Sequence, residues 1–270
     1  MITVLGASGF IGSNIVNELA ATGSAFYAPK RDESLRDKDL GHAIYCIGMT
    51  ADFRTKPFET AEAHVSKLAD VLQYCSFESL TYLSSTRVYI KSKTDNRYLT
   101  EADNIVVNSN DPSDIFAASK ITGELLALNS GKKNIKVVRP SNVFGIDIYS
   151  QNFITAIVKE ALKNSKVELL TTPDSAKDYI FVGDVCSALI KLAQQPQAGI
   201  YNLCSGTNTN NKDIVEELSR LTGAEIVYSP EAQQIIFQEI SNAKVRNVID
   251  FKPTTTVLDA LPEIIAAFKN

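Results

Sequence analysis

The stretch Ile2-Thr3-Val4-Leu5-Gly6-Ala7-Ser8-Gly9-Phe10-Ile11-Gly12 decides the fold of this 270-residue chain. A short apolar run typical of a strand leads into glycines spaced G-x-x-G-x-x-G and then into a helical pattern. In that context the first glycine makes a tight turn, the second lets the backbone approach a pyrophosphate, and the third allows close helix–strand packing. The helix N-terminus then offers free N–H groups to the anion. We therefore expect a dinucleotide-binding turn at Gly6, Ser8, Gly9, Phe10, Ile11 and Gly12, the alternative being a tight turn without a ligand.

Strand-like and helix-like segments alternate after this turn. Strands are expected at 25–28, 43–47, 80–84, 135–138, 167–171 and 199–203, and helices at 61–72, 114–128, 151–164, 184–194 and 211–221. The polar segment 91–112 is expected to be a loop. The alternation predicts an α/β fold, a Rossmann-type doubly wound parallel sheet with a small C-terminal substrate-binding lobe. We expect residues 1–140 and 176–200 in the dinucleotide-binding part, and residues 141–175 and 201–270 in the lobe.

Composition narrows the class of protein. The net charge of −4, without a cluster of Lys or Arg, argues against nucleic-acid binding. No apolar stretch is long enough to span a bilayer, and because the first residues are already strand-like we expect no leader peptide. The four cysteines are widely spaced, which favours reduced thiols and a cytoplasmic location. The two histidines lack neighbouring ligand-type residues, so no metal site is expected.

The residues after the second strand bear on the choice of cofactor. This is where an acidic residue would accept hydrogen bonds from the 2′-hydroxyl of the adenosine ribose. Lys30 and Arg31 stand there instead, and both can pair with a 2′-phosphate. The pair favours NADP over NAD, the alternative being two solvated cations beside Asp32 and Glu33.

Several motifs follow the glycine turn in a fixed order. They are Leu83-Ser84-Ser85-Thr86-Arg87-Val88-Tyr89, Phe116 with Lys120, Arg139-Pro140-Ser141-Asn142-Val143-Phe144-Gly145, and Lys177-Asp178-Tyr179-Ile180-Phe181-Val182-Gly183-Asp184. Together they resemble the extended short-chain dehydrogenase/reductases, and more narrowly the nucleotide-sugar epimerase/dehydratase group. The resemblance covers essentially the whole chain. It implies an NAD(P)-dependent enzyme that acts on a nucleoside-diphosphate sugar.

The resemblance also implies catalytic roles. In the family, a Tyr and a Lys four residues apart face the nicotinamide, the Lys holding its ribose and the Tyr exchanging a proton with the substrate. Ser85 matches the residue that hydrogen-bonds the same substrate oxygen. Lys120 is present, but Phe116 replaces the tyrosine and lacks its oxygen. An engineered Tyr→Phe exchange and a natural loss of the residue would both explain this, and in either case weak or absent activity is expected.

The residues after Ser85 narrow the reaction that the resemblance implies. Family dehydratases carry acidic residues there, whereas this chain has Thr86 and Arg87. The bifunctional epimerase–reductases need a Cys at position 87 and a His near Asp147, and both are absent. Reduction of a 4-keto group or 4-epimerisation remains, and the basic pair after the second strand favours reduction. A non-catalytic NAD(P)-binding sensor is the alternative from another class.

Binding roles for other residues follow from the resemblance as well. Asn142 and Lys177 match positions that contact the nucleotide diphosphate, and Arg246 is a further phosphate candidate. Ser85 and Thr86 are expected to contact the substrate sugar, and Ile47 and Gly48 to line the cofactor. The family commonly dimerises through the helices that here carry Lys67 and Lys120, so a homodimer is expected.

Overall fold

The strands and helices alternate over most of the chain, as the sequence predicts. The computed structural model describes residues 1–50 and 52–269. Its strands are β1 (Ile2–Leu5), β2 (Phe26–Tyr27), β3 (His42–Tyr45), β4 (Ser79–Leu83), β5 (Tyr98–Leu99), β6 (Ile135–Pro140), β7 (Asn142–Phe144), β8 (Lys166–Thr171), β9 (Ala176–Phe181), β10 (Gly199–Leu203), β11 (Asn208–Asn210), β12 (Glu225–Gln233) and β13 (Glu239–Ile240). Its α-helices are α1 (Phe10–Ala21), α2 (Pro57–Ala61), α3 (Lys67–Tyr74), α4 (Ile115–Leu128), α5 (Phe153–Asn164), α6 (Val182–Ala193), α7 (Asn211–Thr222), α8 (Ala243–Ile249) and α9 (Val257–Lys269).

Six parallel strands form the main sheet, in the order β2-β1-β3-β4-β6-β10. The strand order reverses between β1 and β3, and a crevice at the carboxyl ends of the strands forms at such a point. Helices α1 and α6 pack on one face of the sheet, and α3 and α4 on the other. The predicted Rossmann-type doubly wound sheet is therefore confirmed.

The later part of the chain builds a second core. Helices α5, α7 and α9 enclose β8 and one edge of a three-stranded sheet in the order β11-β9-β7. This places β7 and β9 between the second core and the carboxyl edge of the main sheet. The exact division into a cofactor part and a lobe stays a prediction. Strand β10 crosses the boundary placed at residue 200, and α8 packs on the core of the main sheet.

Three expected elements differ from the structure. The helix expected at 61–72 is a longer helical segment with a π-helical turn at Glu62–Ser66 between α2 and α3. The second strand is only two residues long, because it is an edge strand paired with β1 alone. The segment expected as a loop at 91–112 contains β5, which pairs with β13 from the end of the chain. All three differences depend on distant partners that local sequence does not reveal.

The described residues contain neither a membrane-spanning helix nor a metal-binding cluster. Over residues 1–50 and 52–269, no helix has both the length and the apolarity that crossing a bilayer requires. Within the same residues, no group of three or more His, Cys, Asp or Glu side chains is placed to hold a metal ion. All four cysteines are free thiols.

Candidate active site

The glycine turn lies at the carboxyl end of β1 and is shaped by contacts that exclude side chains. Gly6 has a φ of +88°, and a Cβ there would lie 2.9 Å from the backbone of Cys46 and Ile47. A Cβ on Gly12 would lie 2.2 Å from the Gly6 carbonyl oxygen. Gly9 has no such neighbour closer than 3.5 Å and is exposed. The turn is therefore packed tightly against the residues that follow β3 on one side and is open on the other, as a backbone cradle for a pyrophosphate requires.

The first turn of α1 leaves its amide groups free. Gly9 is the N-cap and supplies no side-chain cap, and no acidic residue lies in the first turn. The N–H groups of Phe10 and Ile11 therefore have no partner within the helix, and the helix dipole adds positive potential at this end. Ser8 is exposed on the same turn. The residues present fit a bound dinucleotide phosphate group.

Lys30 and Arg31 are exposed just beyond β2, at the level of the glycine turn. Tyr27, the last residue of β2, pairs with Thr3, and Lys30 and Gly6 each follow a residue of this pair by three positions, beyond the ends of the two parallel strands. The nearby Glu33 carboxylate is occupied by the Lys38 ammonium at 2.5 Å and by the Tyr27 hydroxyl. Over the described residues, no ion pair neutralises the two cations. The pair is thus available to an anion beside the turn.

Gly48 brings the loop after β3 close to Lys120. A Cβ on Gly48 would lie 3.3 Å from both the Lys120 Nζ and the His64 Nε2. Lys120 is 4% exposed and donates a hydrogen bond to the Leu83 carbonyl oxygen at 2.7 Å. Burial lowers the pKa of the Lys120 ammonium to about 7. The structure therefore brings the loop that carries Ile47 and Gly48 next to Lys120. All three residues are predicted to line the cofactor.

Phe116 lies one helical turn before Lys120, and its ring is almost completely buried. The ring packs against Phe53 with centroids 5.3 Å apart and edge-on against His64 at 5.5 Å. The Arg87 guanidinium lies 5.8 Å from the Phe116 ring centroid. Phe116 thus occupies the predicted catalytic position with a ring that carries no proton to donate.

His64 is held neutral beneath this ring by defined hydrogen bonds. Its Nε2 accepts from the Met49 N–H at 3.1 Å, so its Nδ1 carries the proton and donates to the Ser119 Oγ at 2.8 Å. The Ser119 hydroxyl in turn donates to the Phe116 carbonyl oxygen at 3.0 Å. Burial, together with the charge of Lys120, lowers the pKa of His64 to about 3. The imidazole therefore connects the loop after β3 to the helix that carries Phe116 and Lys120.

The π-helical turn that presents His64 is anchored by two buried tyrosines of the main sheet. The Tyr45 hydroxyl donates to the Ala63 carbonyl oxygen at 2.7 Å, and the Tyr82 hydroxyl donates to the His64 carbonyl oxygen at 3.2 Å. Helix α4 approaches this turn closely at Gly123, where a Cβ would lie 2.7 Å from the His64 carbonyl oxygen. These contacts fix the imidazole relative to the sheet.

Ser85 and Thr86 lie at the start of a single 3₁₀ turn, Thr86–Tyr89, directly after β4. The Ser85 Oγ accepts the Arg87 N–H at 3.1 Å, which caps the turn and leaves the hydroxyl proton free to donate. Thr86 is buried. The turn packs against α4, so Ser85 and Phe116 lie on adjoining elements.

A buried ion pair lies behind this turn. Arg139 on β6 makes two hydrogen bonds to the Glu124 carboxylate, at 2.9 and 2.5 Å, and both side chains are at most 4% exposed. Ser84, the neighbour of Ser85, donates to the same carboxylate at 2.5 Å. Arg139 also donates to the Tyr89 hydroxyl at 2.5 Å. The pair thus ties α4, β4, β6 and the 3₁₀ turn together.

Asn142 and Lys177 are brought together on neighbouring strands. Asn142 pairs with Tyr179 in the β7–β9 ladder and donates its side-chain N–H to the Asp178 carbonyl oxygen at 2.7 Å. Lys177 is partly buried, with its ammonium 5.0 Å from the Phe153 ring centroid and 5.2 Å from that of Tyr179. Burial and the charge of Arg87 lower the pKa of Lys177 to about 8. Arg246 is exposed on α8, which packs on α6 and β10, and has no described contact with Asn142 or Lys177.

Sequence reasoning missed three residues that the structure adds to the site. Phe53 covers the Phe116 ring, Arg54 lies 4.6 Å from the Phe53 ring centroid, and His64 lies beneath Phe116. They lie more than fifty residues from Phe116 along the chain, and no motif marks them. They reach Phe116 only because the segment after β3 packs against α4.

Comparison with known proteins identifies relatives along the whole chain. The family model described as "NAD dependent epimerase/dehydratase family" matches residues 2–204. A GDP-6-deoxy-D-mannose reductase of Pseudomonas aeruginosa is 26% identical, over 99% of this chain and 96% of that protein. A UDP-glucose 4-epimerase of Mycolicibacterium smegmatis is 22% identical, over 99% and 98%.

Solved structures share the fold. The RMD structure from Pseudomonas aeruginosa, complexed with NADPH, aligns with a TM-score of 0.77 at 22% identity, over 99% of this chain and 98% of that one. MoeE5 in complex with UDP-glucose and NAD aligns with a TM-score of 0.80 at 20% identity, over 99% and 98%. At these identities the likeness establishes the architecture, while the residues of the site carry the functional argument.

Proposed function

Because the chain belongs to the NAD dependent epimerase/dehydratase family, we propose that it is an NAD(P)-dependent oxidoreductase acting on a nucleoside-diphosphate sugar. The proposed reaction is reduction of a 4-keto group, with 4-epimerisation as the alternative. One observation carries the proposal: the glycine turn, Gly48, Lys120 and Ser85 all gather at the carboxyl edge of the main sheet. Two of the relatives are named as a GDP-6-deoxy-D-mannose reductase and a UDP-glucose 4-epimerase.

NADP(H) is the proposed cofactor, with NAD as the alternative. The open face of Gly9 and the free amides of α1 suit the pyrophosphate. Lys30 and Arg31 supply the positive charge that a 2′-phosphate needs beside this turn. The similar RMD structure contains NADPH, whereas that of MoeE5 contains NAD. The basic pair is what favours NADP here.

The substrate is proposed to lie between the carboxyl edge of the main sheet and the second core. Asn142 and Lys177 lie on the neighbouring strands β7 and β9, Lys177 two residues before Tyr179, the partner of Asn142. Both would hold the diphosphate, and the lysine would do so as a single charge, without the bidentate pairing that an arginine offers. Arg246 stays a weaker phosphate candidate. The structure of MoeE5 contains UDP-glucose, a molecule of this class.

The proposed chemistry assigns a distinct role to each side chain. The bound cofactor supplies the hydride. Ser85 would donate a hydrogen bond from its free hydroxyl to the sugar oxygen without giving up the proton. Lys120 would hold the nicotinamide ribose with the N–H groups that are not bonded to Leu83. Phe116 offers no proton to the alkoxide that hydride addition creates. Slow turnover is the expected consequence, since a positioned acid contributes about 100- to 10,000-fold in rate.

Restoring the missing oxygen tests the proposal. Phe116→Tyr is expected to raise the rate of NADPH oxidation by a 4-keto nucleotide sugar about 100-fold or more, measured by stopped-flow absorbance. Phe77→Tyr, which adds a hydroxyl to a partly buried ring outside the site, serves as the matched control. Full activity in the Phe116 protein would mean that another acid serves. An inactive Phe116→Tyr variant that still binds NADPH would favour the sensor.

The assembly and cellular location are further proposals. Helix α4 exposes Leu125, Leu126 and Leu128, and together with α3 it forms a shallow apolar groove on the protein surface. A second copy of the chain, packed through α3 and α4, would cover these side chains and give the expected homodimer.

The four free thiols suit the expected cytoplasmic location.

A further inference from the structure

An arginine with no acidic partner faces the catalytic position. The Arg87 guanidinium is partly buried and lies 5.1 Å from the Phe53 ring centroid and 5.8 Å from that of Phe116. Over residues 1–50 and 52–269 it forms no ion pair and no side-chain hydrogen bond. The negative charge of Asp114 raises the pKa of Arg87, but this carboxylate is already bonded to other groups. It accepts from the Lys91 ammonium at 2.7 Å and from the Asn108 N–H at 2.6 Å. Arg87 therefore keeps its full hydrogen-bonding capacity.

Other cations surround it and increase the unbalanced charge. Arg54 stacks on the same Phe53 ring and donates one hydrogen bond to the Ser113 hydroxyl. Burial lowers the pKa of Arg87, and the positive charge of Arg54 lowers it further by a smaller amount. The charge of Arg87 also depresses the pKa of Lys177. Holding partly desolvated cations together costs free energy that an anionic ligand would offset.

The cations occupy two different places in the cleft. Lys177 stacks on Phe153 and on Tyr179, the strand partner of Asn142, where the proposed function places the diphosphate. Arg87 stacks over the Phe116 ring and belongs to the turn capped by Ser85, whose hydroxyl is assigned to the reacting sugar oxygen. Arg87 is thus free to pair with a second anionic group at the sugar end of the cleft.

We propose that Arg87, assisted by Arg54, binds a carboxylate on the sugar, so that the substrate is a nucleotide sugar of the uronic-acid type. This rests on the proposed function of the same site. A guanidinium fork matches the two oxygens of a carboxylate and is more weakly hydrated than an ammonium. Its stacking on the aromatic rings orients the fork before the ligand arrives.

Calorimetric binding of two matched pairs of sugar nucleotides tests this assignment. The pairs are UDP-glucose with UDP-glucuronic acid, and GDP-mannose with GDP-mannuronic acid, each titrated into the NADPH-loaded protein. In at least one pair the acidic member is expected to bind at least about tenfold more tightly, as a charge-assisted bidentate contact allows. Arg87→Gln should remove that preference and leave the affinity for the neutral member unchanged. Arg220→Gln, which removes a surface cation on α7, should change nothing.

The outcomes separate this inference from the proposed function. Equal binding of neutral and acidic members by the unmodified protein, or an equal loss of both in Arg87→Gln, overturns the carboxylate site and leaves the nucleotide-sugar function standing. Binding of none of the four ligands contradicts the function itself, and the carboxylate site with it. Because the Arg87 side chain makes no described hydrogen bond, Arg87→Gln should keep the NADPH affinity and the melting temperature of the unmodified protein. These two measurements exclude misfolding of the variant.

Discussion

Neutralising Glu124 is expected to destabilise the protein strongly, because its partner would remain charged in the core. The Arg139 guanidinium is 3% exposed and gives two hydrogen bonds to Glu124 and one to Tyr89. Glu124→Gln preserves the size of the side chain but leaves the arginine without a counter-charge. Breaking a buried pair on one side costs about 3–5 kcal/mol. Replacing both residues with methionine removes both charges and should cost much less than the single change.

Urea unfolding followed by far-UV circular dichroism measures this effect, since the chain contains no tryptophan. Glu217→Gln is the matched control, because Glu217 pairs with Arg220 on the exposed face of α7, where no measurable shift of the midpoint is expected. A loss below about 1 kcal/mol in Glu124→Gln would refute the reasoning, as would a double methionine variant less stable than the single one.

Gly12→Ala would place a methyl group 2.2 Å from a backbone oxygen, so NADPH affinity should fall at least about tenfold by calorimetry; unchanged affinity would contradict the packing of the turn. The unmodified protein should prefer NADPH to NADH, and joint replacement of Lys30 and Arg31 with alanine should abolish the preference. Equal affinities of the unmodified protein for NADPH and NADH would mean that Lys30 and Arg31 are merely solvated surface cations. Burial lowers the pKa of Lys120 from 10.5 to about 7, so the unfolded chain binds more protons between these values and stability rises with pH there. Thermal melts between about pH 7 and 9 should show a shallower rise in Lys120→Met, and an identical slope would argue against the shift. Leu125→Glu should yield a monomer by light scattering, whereas a monomeric unmodified protein would exclude the homodimer.

The sequence predicted the parts of the site that depend on local geometry. The strand, glycine turn and helix from Ile2 onward are contiguous, so their spacing alone indicates the cradle. The pairing of Phe116 with Lys120 is likewise a helical spacing, and both side chains are buried on α4. The doubly wound sheet followed from the alternation of segments.

Features that depend on distant contacts could not be predicted in this way. His64 belongs to the site because Tyr45 and Tyr82 bond the carbonyl groups of its turn, and both tyrosines lie in strands of the main sheet. Strand β5 exists because it pairs with β13 across more than a hundred residues. In the sequence, Arg87 is only a departure from the dehydratase and epimerase–reductase patterns. Its stacking on Phe53 required the folded chain.

The π-helical turn at Glu62–Ser66 divides one continuous helical segment into two with different rotational settings. A π turn holds one residue more than the α-helical turn it replaces, and each residue of an α-helix advances the chain by about 100°. Deleting one residue from this turn would therefore swing α2 by roughly that angle relative to α3 while α3 kept Leu68, Val71 and Leu72 against the sheet. The two tyrosine hydroxyls would lose their acceptors at the same time. A change of one residue in the length of this segment would thus disturb both α2 and the buried tyrosines. Natural variation here should therefore consist of substitutions and not of insertions or deletions.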